Sequence, residues 1–143
     1  MMERAATLFQ ELSERWDFIE AIVAVGNAHR FAGEKAAAKQ AHLQGIDLSA
    51  TARNRSNATG LTFLLTALEG EMGRHERVAR LWGAAQAVHE AIGAVRPPAA
   101  ARLIGDPVAA ARLAIGDEAV ERGLDEGRAM GYDAMLAYAH ADQ

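Results

Sequence analysis

Apolar residues in this chain recur every three or four positions and never every second one. Val78, Leu81, Trp82, Ala85, Val88 and Ile92 fall on one face of a helix, as do Leu61, Leu64, Leu65, Leu68 and Met72. Ile19, Ile22, Val23 and Gly26 form a third stripe. No segment alternates apolar and polar residues as a half-buried strand does. Composition points the same way: 33 of 143 residues are Ala, the best helix former, and only 8 are Phe, Trp or Tyr. The expectation is an all-α chain forming one domain, residues 1–143.

Glycine supplies the punctuation. Gly33, Gly73, Gly93, Gly116 and Gly131 each follow a helical stretch, where a residue with positive φ ends the helix. Pro97-Pro98 stops any helix from running through that segment, and Asp106-Pro107 reads as an N-cap followed by proline in the first turn. These signals predict helices over about 3–14, 16–32, 34–48, 56–72, 75–92, 98–104, 107–115, 117–130 and 133–141. Leu8, Leu12 and Trp16 carry the first of these, with a break near Arg15.

Glu3-Arg4-Ala5-Ala6 is echoed by Glu34-Lys35-Ala36-Ala37 and Glu76-Arg77-Val78-Ala79. Each echo opens a helix, and the last two follow a glycine. Repeats of 30 to 45 residues built from helix pairs predict an α-solenoid of antiparallel hairpins, about four in all, with residues 97–143 atypical.

Several chemistries have no foothold. There is no Cys, so neither disulfides nor thiolate sites are expected. The five His residues lie too far apart in sequence for two to share one helical turn as metal ligands. No Gly-x-Ser-x-Gly surrounds Ser13, Ser49 or Ser56. No Gly-x4-Gly-Lys-Ser/Thr phosphate loop is present. Asp117, Glu118 and Glu121 sit in the first turn of a predicted helix, where acids complement its dipole. Asn57, near a helix start, reads as a capping residue. Acids and bases are balanced: residues 1–72 carry 7 Lys/Arg and 9 Asp/Glu, and residues 73–143 carry 8 and 10. Neither half has the basic excess that nucleic acid demands. The longest apolar run, Ala21 to Val25, is far short of a membrane span, and the N-terminus lacks a secretory leader's apolar core. Expected, therefore, are no cofactor, no catalytic residue, no nucleic acid or membrane contact, and a cytoplasmic location.

Gly26-x6-Gly33-x4-Ala38 matches the skeleton of a tetratricopeptide (TPR) repeat. The run Gly73-Arg74-His75-Glu76-Arg77-Val78-Ala79-Arg80-Leu81-Trp82-Gly83-Ala84-Ala85 is followed by Ala91-Ile92-Gly93 and Pro97-Pro98. Further on come Gly116-Asp117-Glu118-Ala119, Glu126-Gly127-Arg128-Ala129-Met130 and Ala137-Tyr138-Ala139. This order resembles the C-terminal TPR-like segment of large bacterial signal-transduction ATPases: LuxR-type, MalT-like regulators and adenylate cyclases fused to an ATPase module. One departure is Leu124, where that family tends to have an aromatic. The resemblance implies a non-catalytic module that binds a protein or peptide partner or senses an effector. Its ATPase and helix-turn-helix modules are not expected within this stretch. By the TPR skeleton, Asn27 and Arg30 fall on the first helix of a pair, near the partner-binding groove.

Three further expectations follow. Arg74, Arg77 and Arg80, with His75, form a solvated basic face, with Arg80 neutralised by Glu76. Trp82 and Leu65 are core residues where helix pairs meet. The first helix reads as the second member of a pair whose partner is missing, leaving Leu8, Phe9 and Leu12 as the basis for a homodimer. The competing function is a small-ligand receptor with an apolar pocket between hairpins.

Overall fold

The computed structural model describes the backbone of residues 2–94 and 98–141, and their side chains apart from those of residues 2, 3, 8, 9, 12, 13, 15, 16, 98 and 99. Among the described residues the chain is eight α-helices and no strand: α1 (Met2–Phe31), α2 (Lys35–Thr51), α3 (Arg55–Glu71), α4 (His75–Ile92), α5 (Pro98–Ile104), α6 (Pro107–Ile115), α7 (Asp117–Arg128) and α8 (Tyr132–His140). None of them is long and apolar enough to cross a membrane.

The all-α expectation holds, and most helix ends fall where glycine and proline signals put them. Asp106 caps α6, its Oδ1 accepting from the Ala109 amide at 3.0 Å, with Pro107 in the first turn. The expected break near Arg15 is absent. Residues 2–31 form one helix, because no Gly or Pro interrupts them before Gly26 and Glu14-Arg15 are good helix formers. This helix packs along α2. Gly131 also differs: its φ is −80°, and it serves as the extended residue that starts α8.

The helix turns share one geometry. Gly33, Arg53, Gly73 and Gly93, spaced 20 residues apart, all have positive φ (81°, 58°, 78° and 67°). At each, the next amide reaches back to the carbonyl five residues earlier: Glu34 to His29, Asn54 to Ser49, Arg74 to Glu69 and Ala94 to His89. This is the Schellman ending. One helix plus one turn is therefore 20 residues, and a hairpin is 40. The sequence echo shows the period poorly because the second turn uses Arg53 where the others use Gly.

α3 lies at the centre, packed between α2 and α4 and against α5 and α6. Every residue from Leu61 to Glu69 is buried. Its threonines are satisfied from within: the hydroxyls of Thr59, Thr62 and Thr66 donate to the carbonyls of Arg55, Ala58 and Thr62 at 2.7–2.8 Å. Leu65 is fully buried, as expected. Trp82 is only half-buried; it packs against both apolar clusters of the core and meets the Phe63 ring edge-on at 4.9 Å.

After α4 the helices shorten. They do not extend the row of hairpins. α7 lies along α4 in the most extensive helix contact of the molecule, and α8 crosses α4 to reach α2. The α4–α7 contact is backbone to backbone. Cβ atoms added at Gly83 and Gly127 would stand 2.3 Å from the Leu124 carbonyl oxygen and 2.1 Å from the Arg80 carbonyl oxygen. Leu124 is buried there, its backbone against Gly83.

Two predictions follow from these positions. Gly127→Ala forces α4 and α7 apart and should cost about 3 kcal/mol or more in urea melts, whereas Gly131→Ala, with open space around it, should be close to neutral. Arg53→Gly relieves a left-handed non-glycine residue; after the added unfolded-chain entropy it should raise stability by roughly 0.5–1 kcal/mol.

Candidate functional site

A helix buried on all sides leaves no solvent for a charge, yet α3 carries Glu69 near its end, with no exposure at all. Three cations meet it. Lys39 Nζ of α2 lies 2.9 Å from Oε1, Arg77 Nε of α4 lies 3.3 Å from Oε1, and Arg74 Nε lies 3.7 Å from Oε2. Arg77 is itself 2% exposed. Its guanidinium also donates to the Tyr138 and Ala139 carbonyls at 3.1 and 3.0 Å and stacks over the Tyr138 ring at 4.9 Å. A cation at a helix C-terminus complements the dipole there. Four helices, α2, α3, α4 and α8, are thus joined at one carboxylate. His140 Nε2, 2.6 Å from Asp47 Oδ1, adds a second tie between α8 and α2.

The basic face expected at Arg74, Arg77 and Arg80 is solvated only in part: the Arg74 side chain is 41% exposed and that of Arg80 35%, while Arg77 is buried. Arg77 is interior, because α8 folds back over α4 and covers it. Arg80 pairs with Glu126 of α7 at 2.7 Å, not with Glu76, since α7 lies alongside α4. That bond holds the Arg80 guanidinium above its ordinary pKa. The acids of α7 have structural partners as well: Glu121 and Asp117 meet Arg112 of α6 at 2.7 and 3.5 Å.

Asn27 and Arg30 lie on the inner side of α1. Arg30 clamps α1 to the end of α3 through Glu71 at 2.6 Å and to α5 through the Leu103 carbonyl at 2.7 Å. Lys35 reinforces the clamp by donating to the Glu71 carbonyl at 3.1 Å. The Asn27 side-chain oxygen is buried without a hydrogen-bond partner. The Arg30 guanidinium thus faces its own chain. Asn57 has a part in the neighbouring turn: its amide is capped by Asn54 Oδ1 at 2.9 Å, and its side chain donates to Ser49 Oγ at 2.7 Å.

Clefts flank the Glu69 cluster. One of about 390 Å³ lies between α2, the α3–α4 turn and the end of α8, lined by Ala36, Lys39, Gln40, Leu43, Met72, Arg74 and His140. Another, of about 420 Å³, is bounded by Gly73 to Arg77, Arg80 and Ile115. A small apolar groove of about 260 Å³ sits between α1 and the end of α2, at Phe18, Ile19, Leu48, Thr51 and Ala52. Among the described residues no three His, Asp or Glu side chains are grouped to hold a metal ion. Comparison with known proteins finds no match: no family model, no curated protein and no solved structure resembles the chain closely enough to count.

Nothing in the sequence singles out Glu69 by motif. The available signal was the absence of charge: Ser56 to Leu68 is uncharged, and a helix without charge on any side is a buried one.

His42 is the other buried titratable group. It packs against Gly26 of α1, where an added Cβ would be 3.1 Å from the ring, and neither ring nitrogen has a hydrogen-bond partner. Burial first, and the Arg30 charge second, lower its pKa to about 4. The unfolded chain therefore takes a proton at this site near pH 6.5 while the folded chain does not. Stability is full above pH 6.5 and falls as pH drops towards 4, by about 3 kcal/mol. His42→Leu should remove this part of the acid sensitivity, read as a flatter pH profile of urea midpoints than that of the parent chain.

Proposed function

We propose that this chain works by binding and not by catalysis, as a TPR-like α-solenoid module of a bacterial signalling ATPase or transcriptional regulator. Two features support the helical-repeat part. The first two hairpins share a 40-residue period, within the range of helix-pair repeats though longer than the 34 residues of a standard TPR unit. Their turns are superposable in hydrogen-bond pattern. The resemblance of Gly73–Ala139 to the C-terminal segments of such regulators supplies the signalling part.

The observation that carries the reading is the outer face of α1. Ile19, Ile22 and Gly26 face α2, while Phe18, Ala21, Val25 and Ala28 form a second apolar stripe that is exposed. Phe18 and Val25 are each more than half exposed. With 30 residues α1 is about 45 Å long, against about 25 Å for the 17-residue α2, so its first half runs past the end of its hairpin partner. Apolar surface rimmed by charge is the mark of an interface.

The occupant proposed is a second copy of the chain, α1 against α1 about a two-fold axis. A copy of the same helix offers a matching stripe of the same length, so the patch can meet itself. The apolar groove at Phe18 is continuous with this stripe. Of the residues first expected to form the contact, Leu8, Phe9 and Leu12 have side chains outside the described residues, as does Trp16. The role of Arg30 in this reading is to hold α1 in place.

Light scattering at about 100 μM, well above a micromolar dissociation constant, should give a mass near twice 15.3 kDa. Val25→Asp should return the mass to 15.3 kDa with an unchanged helical circular dichroism spectrum. A parent chain that is monomeric at that concentration rejects the dimer.

A further inference from the structure

His42 of α2 is fully buried, and neither of its ring nitrogens has a hydrogen-bond partner. α1 closes over the ring at Gly26, where an added Cβ would stand 3.1 Å from both Cε1 and Nδ1. The buried Asn27 oxygen beside it is bonded to neither nitrogen. Arg30 follows Gly26 by one turn of α1. On the other elements the charges are Lys39 of α2, bonded to Glu69 at the end of α3, and His140 of α8, engaged with Asp47. α3 carries no charge between Ser56 and Leu68. An imidazolium has two N–H donors and accepts nothing. With α1 in place, both would be buried without an acceptor and near a guanidinium, an arrangement the fold does not tolerate.

We propose that α1 is an acid-released arm: a proton on His42 frees α1 from α2 while α2 to α8 stay folded. The architecture puts the opening at this joint. α2 is the one helix that α1 contacts extensively. Among the described residues, the buried members of the larger apolar core come from α2, α3, α4, α5 and α8, and none from α1. Beyond its packing on α2, α1 is held by Arg30 at its C-terminal end. Lifting α1 therefore gives water to the ring and leaves that core whole. With α1 in place, burial first and Arg30 second lower the His42 pKa to about 4, against about 6.5 for a solvated ring. The closed state is fully favoured above pH 6.5 and loses ground as pH falls towards 4. In that window each pH unit raises the released fraction about tenfold. The helix released is the one that carries the outer apolar stripe, whether or not two copies pair there.

The test is amide hydrogen exchange of the full chain, resolved by NMR at several pH values between about 4.5 and 7, with each rate divided by that of an unstructured chain at the same pH. Protection of the α1 amides from Ile19 to Arg30 should fall about tenfold per pH unit below pH 6, while the α3 and α4 amides keep theirs. In His42→Leu the α1 protection should no longer change with pH. Should that variant not fold, the ring itself decides: His42 of the parent chain should charge only at the pH where the native α1 signals vanish. Constant α1 protection, equal loss in α1 and α3, a tenfold loss per unit that survives in His42→Leu, or a ring that charges while the α1 signals persist overturns the release. Light scattering decides self-association separately, and the same exchange pattern is expected in Val25→Asp, so either reading can fail alone.

Discussion

A carboxylate with no access to water, Glu69, sets the terms for the rest of this structure. An ionised carboxylate in the interior costs several kcal/mol unless matched. Here the match is drawn from elements far apart in sequence: Lys39 thirty residues before it, and Arg74 and Arg77 just after the next turn. Arg77 then needs more acceptors than one carboxylate offers, and the last carbonyls of α8 supply them. The chain's return from α7 to α8 is in this sense the completion of a charge arrangement begun on α3. Such an arrangement specifies register more than it adds net stability. A one-turn slip of α4 along α3 would carry Arg77 away from Glu69 and strand both charges in the core.

Apolar packing supplies the stability, and its distribution follows from small residues. α4 presents Ala79, Gly83 and Ala84 to α7, which answers with Gly123 and Gly127. Their missing side chains let two backbones touch, so dispersion contacts are made by main-chain atoms on both sides.

Helix positions were legible in the sequence because their signals are local. Gly33, Gly73, Gly93 and Asp106-Pro107 each act through the backbone within one turn, and the structure ends or starts helices there. The false break near Arg15 arose from reading two apolar stripes as two helices, when one uninterrupted helix with two apolar faces also fits. Arg53 hid the 20-residue period because a Schellman turn specifies a dihedral angle, and glycine is only its commonest bearer. The candidate site was harder for a different reason. The arginines at 74, 77 and 80 look alike at spacing i, i+3, i+6, yet one is buried, one faces a cleft and one pairs across to α7. What separates them is the path of α7 and α8, which no local pattern encodes.

The two edges of the stack end differently, and that difference argues for where the molecule meets others. At the C-terminal side the chain closes over itself: α8 covers Arg77, reaches α2, and is pinned by His140 to Asp47. Arg77 and Arg80 are both matched there, Arg77 by the α8 carbonyls and Arg80 by Glu126. At α1 the situation is reversed. Arg30 ties the C-terminal end of the helix to α3 and α5, and Phe18 and Val25 stay more than half exposed on its outer face. Side chains carried on a helix need less ordering on association than side chains on a loop, so in the dimer proposed above Phe18 and Val25 meet a smaller part of the cost that an interface must overcome.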